Sequence, residues 1–372
     1  MKGRIVTYFK YPLMNVHLHK DVGQVLKALS QATGLDAALV GFWSESIQDF
    51  QGITVHFLKR TFPFSIRGIS WSFIKYVLRF RSEIALLQLY FMSADSLFYA
   101  WLFKKVNPQG KVYLKLDAGP DQVLAMPLNG FFSRIFLRSV DLISAESQET
   151  LQALFERAPG LSQKLAYVPN GLDLESLKAA HPKFLPFEQK ENRILILARV
   201  GLPEKNHEFL LRLIPKVGLK DWKWVFVGPV QPGFQEKIDS FFTENPSLKD
   251  QVLFVGEIRD RAKLYAEMDR AKIAVSTSRR ESFQIALLES LVFGHQILVS
   301  DQVGSAKYVC RDGKSGTCLS IDDETAWVRA IQKMTGDQAL PSRFRETQEW
   351  ALQNLSWEKA LEPVLSKIAG EK

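Results

Sequence analysis

A chain of 372 residues, 46% of them hydrophobic, is long enough for two domains of ordinary size, each with its own core. Its two cysteines, Cys310 and Cys318, exclude a disulfide framework, fit a reducing cytosol and make a poor metal site. The net charge of +8 points to an anionic partner, Met1 opens no signal peptide, and the most apolar stretch, Ile84 to Phe103, is broken by Gln88, Ser93, Asp95 and Ser96, which excludes a membrane span.

The chain opens with a strand at GRIVTYF, an amphipathic helix at VGQVLKALSQATG and a second strand at AALVGFW. Further strands are expected at GITVHFL, IALLQLYF, KVYLKLD and DLISAE, with helical stretches between them. This alternation predicts a parallel sheet wrapped by helices. Between Gln51 and Lys115 ten basic residues (Lys59, Arg60, Arg67, Lys75, Arg79, Arg81, Lys104, Lys105, Lys111, Lys115) face two acids, Glu83 and Asp95. Phe57, Phe62, Phe64, Trp71, Phe73, Tyr76 and Phe80 are interleaved with them, a mixture that suits an anionic membrane surface or a lipid carrier as well as nucleic acid. No recognised nucleic-acid motif accompanies it, and the expected partner is the membrane.

The polar segment HPKFLPFEQKEN, His181 to Asn192, marks the expected boundary, with one domain over residues 1–182 and the next over 183–352. Beyond it the alternation restarts with strands at RILILARV, WKWVFVG, QVLFVG, KIAVSTS and HQILVSD. Helices are expected from His207, after Pro232, from Asp260 and across ESFQIALLE. Neither half carries a dinucleotide or P-loop glycine fingerprint. The closing LSWEKALEPVLSKI is an amphipathic helix within residues 353–372 that sets Trp357, Leu361 and Leu365 on one face.

ESFQIALLE holds Glu281 and Glu289 eight residues apart. On an unbroken helix their carboxylates would stand about 80° and roughly 12 Å apart, a separation suited to a long ligand. The strand-like IAVS before the pair puts Glu281 in the loop at the helix mouth and Glu289 inside the helix.

The second half resembles the C-terminal domain of retaining glycosyltransferases of the GT-B fold, the family called family 4. ARVGLPEKNHEFLL resembles the family's arginine-then-lysine loop, VLFVGEI its strand ending in a glycine near the nucleotide base, ESFQIALLE its E-x7-E motif, and ILVSDQVGSAKYVCRDGKSG the segment that follows. YVPNGLD, Tyr167 to Asp173, resembles the exit from the N-terminal domain. The resemblance implies two doubly wound, Rossmann-like domains facing a cleft, a C-terminal helix that crosses back to the first domain, a nucleotide-sugar donor as substrate and no cofactor.

The chemistry of such a donor assigns roles. Glu289 would take the ribose hydroxyls and Glu281 the donor sugar, with Gly256 near the base. The first-turn N–H groups of Phe283, Gln284 and Ile285, with the helix's roughly half positive charge, suit the diphosphate. Arg199 and Lys205 would add two cations, so that the leaving group is stabilised without a metal. His207 is expected to start a helix rather than act in catalysis. In the first half, the resemblance implies an acceptor-facing residue after a strand, here Asp117, and a first βα loop near the donor, to which NVHLHKDVG contributes His17, His19, Lys20 and Gly23. Ser282 stands where the family usually has glycine.

The expectation is a cytoplasmic, membrane-associated retaining hexosyltransferase, metal-independent, acting on a glycan or lipid-linked acceptor in cell-surface polysaccharide or lipopolysaccharide assembly. The alternative is a non-catalytic protein of the same shape that binds a membrane or polymer.

Overall fold

The computed structural model describes residues 3–43, 50, 52–59, 69–126, 128 and 130–369, which fall into two compact units. Met1–Gly171 with Trp357–Lys372 form unit 1, and Leu172–Ser356 form unit 2. Arg60, Phe62, Phe64 and Arg67 of the basic and aromatic stretch lie outside the described residues.

Unit 1 holds a parallel sheet of seven strands: β1 (Arg4–Leu13), β2 (Asp36–Trp43), β3 (Thr54–Phe57), β4 (Ile84–Tyr90), β5 (Lys111–Leu116), β6 (Leu142–Ala145) and β7 (Leu165–Tyr167). Their order is β3-β2-β1-β4-β5-β6-β7, so the winding reverses between β1 and β4. Successive β1 side chains point to opposite faces, and both faces are covered: Val6 and Tyr8 enter one apolar cluster, Ile5 and Phe9 another.

The second cluster includes Val25, Leu26 and Leu29 of the helix Asp21–Thr33 together with Trp357, Leu361, Val364 and Ile368. The C-terminal segment therefore packs on unit 1. It does so as two short helices, Trp357–Ala360 and Glu362–Ala369, rather than one. Pro363 accounts for the restart, since its ring is tolerated in a first turn and not in a helix interior.

Unit 2 holds six parallel strands, β8 (Arg193–Leu197), β9 (Lys223–Val227), β10 (Val252–Gly256), β11 (Ile273–Ser276), β12 (Gln296–Ser300) and β13 (Gly316–Leu319), in the order β10-β9-β8-β11-β12-β13. Its winding reverses between β8 and β11. Ile194 and Ile196 face one cluster and Leu195 the other.

The segment expected to separate the domains belongs to unit 2, and the division falls at Gly171–Leu172. The reason is a buried charge set. The Lys190 ammonium donates to the Asp269 carboxylate at 2.5 Å, His181 Nε2 meets the same carboxylate at 2.8 Å, and the Leu185 amide donates to it at 2.8 Å. Lys190 and Asp269 side chains are fully buried, so breaking either contact would strand a charge. Among the described residues no helix is long and apolar enough to cross a membrane.

Candidate functional site

In unit 2 the chemistry-bearing residues gather where the winding reverses, at the carboxyl ends of β8 and β11, the place where open parallel sheets leave a crevice for ligands. Arg199 follows β8 at an exposed position. The loop then runs through Gly201, at φ +92, to Lys205. His207 is buried and opens the helix His207–Val217, and its Nδ1 accepts the Gly201 amide at 3.2 Å. Burial, with Lys205 nearby, pushes the imidazole down to about 4, so it stays neutral and keeps that acceptor near neutral pH.

A second loop, after β11, is stitched to the first. The Thr277 hydroxyl donates to the Lys205 carbonyl at 3.3 Å, and the Arg279 amide donates to the Glu204 carbonyl at 2.8 Å. These bonds bring Lys205 and Glu281 into a direct ion pair, both largely buried. The Glu281 backbone is held independently. It bridges Val303 in parallel fashion, and its carbonyl accepts the Gly304 amide at 2.9 Å.

Glu281 stands in the loop and Glu289 inside the helix Ile285–Val292. The helix starts later than the sequence suggests, and this corrects the expected set of first-turn amides. Phe283 and Gln284 precede the helix, and only Ile285 belongs to its first turn. The Ser276 hydroxyl donates to Gln284 Oε1 at 2.6 Å, and Gln284 caps the helix in an extended conformation.

Glu289 is buried and accepts from Arg261 Nη1 at 3.1 Å, with the Tyr265 hydroxyl at 3.4 Å. Burial raises its pKa, and Arg261 and Tyr265 oppose that rise. Both partners come from the helix Arg261–Asp269, one turn apart, which follows β10. Gly256 ends β10 at φ +84, and its carbonyl accepts the Gly228 amide at 2.8 Å.

In unit 1, Asp117 is exposed directly after β5. Gly23 has a packing role. It is buried in the helix Asp21–Thr33, where a Cβ would stand 2.4 Å from the Leu18 carbonyl oxygen, so glycine is needed for packing. His17 Nδ1 accepts the Met14 amide at 3.0 Å, while His19 and Lys20 are exposed.

A buried cluster lies beside Asp117. Lys115, at the end of β5 and fully buried, donates to Glu146, to Asp21 at 3.1 Å and to Asn170 at 3.1 Å. Desolvation pushes Glu146 up to about 7, opposed by Lys115 and assisted by Asp117 and Asp21. Burial opposes the charge on the Lys115 ammonium, and the surrounding Glu146, Asp21, Tyr113 and Asp117 outweigh it, so its pKa is raised.

Residues 178–349 match the family model described as Glycosyl transferases group 1. The chain carries a group 1 glycosyltransferase domain. It is 26% identical over 192 residues to the phosphatidyl-myo-inositol mannosyltransferase of Mycobacterium leprae, covering 51% of this chain and 49% of that protein. It is 24% identical over 220 residues to the N-acetylgalactosamine-N,N'-diacetylbacillosaminyl-diphospho-undecaprenol 4-alpha-N-acetylgalactosaminyltransferase of Campylobacter jejuni, covering 59% of this chain and 57% of that one. The chain thus spans about half the length of the curated relatives it matches. In fold it is similar to Anabaena Alr3699/HepE in complex with UDP, at a TM-score of 0.70 and 15% identity over 99% of this chain and 100% of that one. The fold is GT-B.

In the group 1 domain, sequence reasoning brought out Lys205, Glu281 and Glu289 and missed Arg261 and Tyr265. The available signal was their spacing of one helical turn behind the Asp260 cap. Gly304 was also missed. A Cβ there would stand 2.2 Å from the Ser282 carbonyl oxygen, a backbone atom fixed by the neighbouring bridge. Gly304→Ala is expected to lower stability by about 1–3 kcal/mol through overpacking, read from the urea midpoint. An unchanged midpoint would show that the Glu281 loop yields.

Proposed function

We propose that the chain transfers a hexose from a nucleoside diphosphate sugar to a hydroxyl of a glycan or lipid-linked acceptor, with the anomeric configuration retained and no resident metal. The observation that carries this reading is the Lys205–Glu281 ion pair at the reversal point of the unit 2 sheet, with Glu289 buried eight residues further on. Glu289 would accept from the ribose hydroxyls, Glu281 from the sugar, and Lys205 with Arg199 would neutralise charge on the departing diphosphate. The bond from the anomeric carbon to the diphosphate oxygen breaks as the acceptor oxygen bonds to that carbon from the same face. The acceptor proton passes to the departing phosphate. Asp117 would orient the acceptor hydroxyl.

The names of similar proteins support the substrate classes: a mannosyltransferase for a phosphatidyl-inositol, a transferase for a diphospho-undecaprenol glycan, and a fold neighbour holding UDP. Docking on an anionic membrane, at its cytoplasmic side, is part of the proposal. The helix Trp71–Phe80 supports it by exposing Trp71, Lys75, Leu78 and Arg79. Cell-surface polysaccharide or lipopolysaccharide assembly is the setting that fits such an acceptor.

The test is thermal unfolding against UDP, GDP, ADP and their common sugar conjugates. A ligand at about 100 times its Kd adds about 2.7 kcal/mol of stability, and a nucleotide-selective rise is expected. No rise with any nucleotide, from folded protein, would instead favour the non-catalytic membrane- or polymer-binding reading. Once a donor is identified, Lys205→Ala is expected to lower its transfer or hydrolysis about a hundredfold, the usual cost of one transition-state charge contact. Normal rates in both Lys205→Ala and Arg199→Ala would count against the metal-free diphosphate clamp.

A further inference from the structure

We infer that Tyr11 and Phe91 form a stacking corner in unit 1 for an uncharged hexopyranose ring, which, on the transferase reading above, is a ring of the acceptor. Three independent features meet there. The first is topology: Tyr11 lies near the carboxyl end of β1 and Phe91 directly follows β4, the two strands between which the sheet reverses its winding.

The second is a break in β1. Phe9 pairs with Gly41 and Pro12 with Phe42, so Lys10 and Tyr11 are inserted without partners on β2. An insertion of this kind bends a strand and re-aims its side chains. Tyr11 is left 50% exposed as a result, although Phe9 behind it is buried.

The third is backbone strain. Phe91 stands at φ +62, a conformation unfavourable for a bulky side chain, fixed by its amide donating to the Lys115 carbonyl at 3.1 Å and its carbonyl accepting the Ser93 amide at 3.1 Å. That bond to Lys115 also places Phe91 on the strand edge two residues before Asp117.

The resulting geometry selects the ligand class. The Tyr11 and Phe91 rings are 5.3 Å apart and inclined at 78°, with Phe9 supporting both. Flat bases stack best between parallel rings, whereas a chair-shaped pyranose has an apolar C–H face for one ring and an edge for the other. Lys10 Nζ lies 5.6 Å from the Tyr11 ring centre and 5.7 Å from that of Phe91, and it donates to Ser93 at 2.9 Å and to Asp95 at 3.4 Å. The Asp95 carboxylate offsets the ammonium charge, so the corner presents a hydrogen-bond donor with little net charge and suits hydroxyls better than a phosphate.

Saturation-transfer NMR on the full chain tests this, with methyl α-glycopyranosides of gluco, manno and galacto configuration and with UDP as a separate probe. In the wild type at least one glycoside should receive saturation on its ring C–H protons. In Tyr11→Ala that signal should fall about fivefold, the loss expected for one aromatic contact, and Tyr11→Trp should restore it, with the UDP signal equal in all three proteins. Equal glycoside signals in wild type and Tyr11→Ala, or none in folded wild type, would overturn the inference. Loss of the UDP signal alone would count against the nucleotide-sugar reading instead, since the glycoside comparison decides the corner by itself.

Discussion

Glu289→Ala is expected to remove nearly all of the stabilisation that a nucleoside diphosphate confers. The carboxylate is buried, and its companions Arg261 and Tyr265 are donors, so no other acceptor of the contact set can take over the ribose hydroxyls. Hydrogen bonds to a charged group contribute about 1.5–3 kcal/mol each, so a pair lost together weakens binding by about a hundredfold or more. At a nucleotide concentration that raises wild-type stability by about 2.7 kcal/mol, the variant would gain only about 0.4 kcal/mol. The fold should survive, because burial already disfavours the ionised carboxylate and Arg261 retains access to solvent. The comparison needs each protein's own unliganded melting temperature. An equal nucleotide-induced rise in the two proteins would remove Glu289 from the ribose.

The largest stability effect belongs to Lys115→Met. Lys115 is fully buried, and the Glu146 and Asn170 groups it serves are buried with it. Removing one partner of a buried ion pair usually costs about 3–5 kcal/mol, a cost expected above pH 7, where Glu146 is ionised and would be left uncompensated. The fall should be read from the urea midpoint of the unfolding phase assigned to unit 1. A loss below about 1 kcal/mol would mean that water or rearrangement compensates the acids.

The same cluster predicts a pH dependence. Glu146 has its folded pKa raised from 4.5 to about 7, so between those values the native state holds a proton that the unfolded chain has released. Its contribution to stability is therefore complete below pH 4.5 and declines as pH rises to about 7. In Glu146→Gln that decline should disappear, and a wild-type stability curve that matches the variant's across the interval would contradict it.

Local sequence carried much of the architecture. Alternating apolar runs and amphipathic stretches place eleven strands because each signal involves residues adjacent in the chain. Glu281 in a loop and Glu289 in the following helix were legible for the same reason: IAVS reads as a strand and IALLESLV as a helix. Strands β7 and β13, of three and four residues, were not legible. Their strand character comes from the neighbouring strand they pair with.

What tertiary structure alone decided involves partners far apart in sequence. The helix starts at Ile285 because Gln284 is held by Ser276 on the preceding strand. The polar segment after His181 joins unit 2 because Lys190 and His181 reach Asp269, 79 and 88 residues away. Gly23 reads from sequence as a phosphate-approach glycine, but the turn at Leu18 claims its open side. Arg261 meets Glu289, and Lys115 meets Glu146, only once the parallel strands are in register. The sequence by itself determined the fold class and the loop and helix positions of the two acids, since propensity and pattern are properties of neighbours. Which charges are buried together, and therefore which titrate unusually, depends on packing across strands and helices that no local pattern encodes.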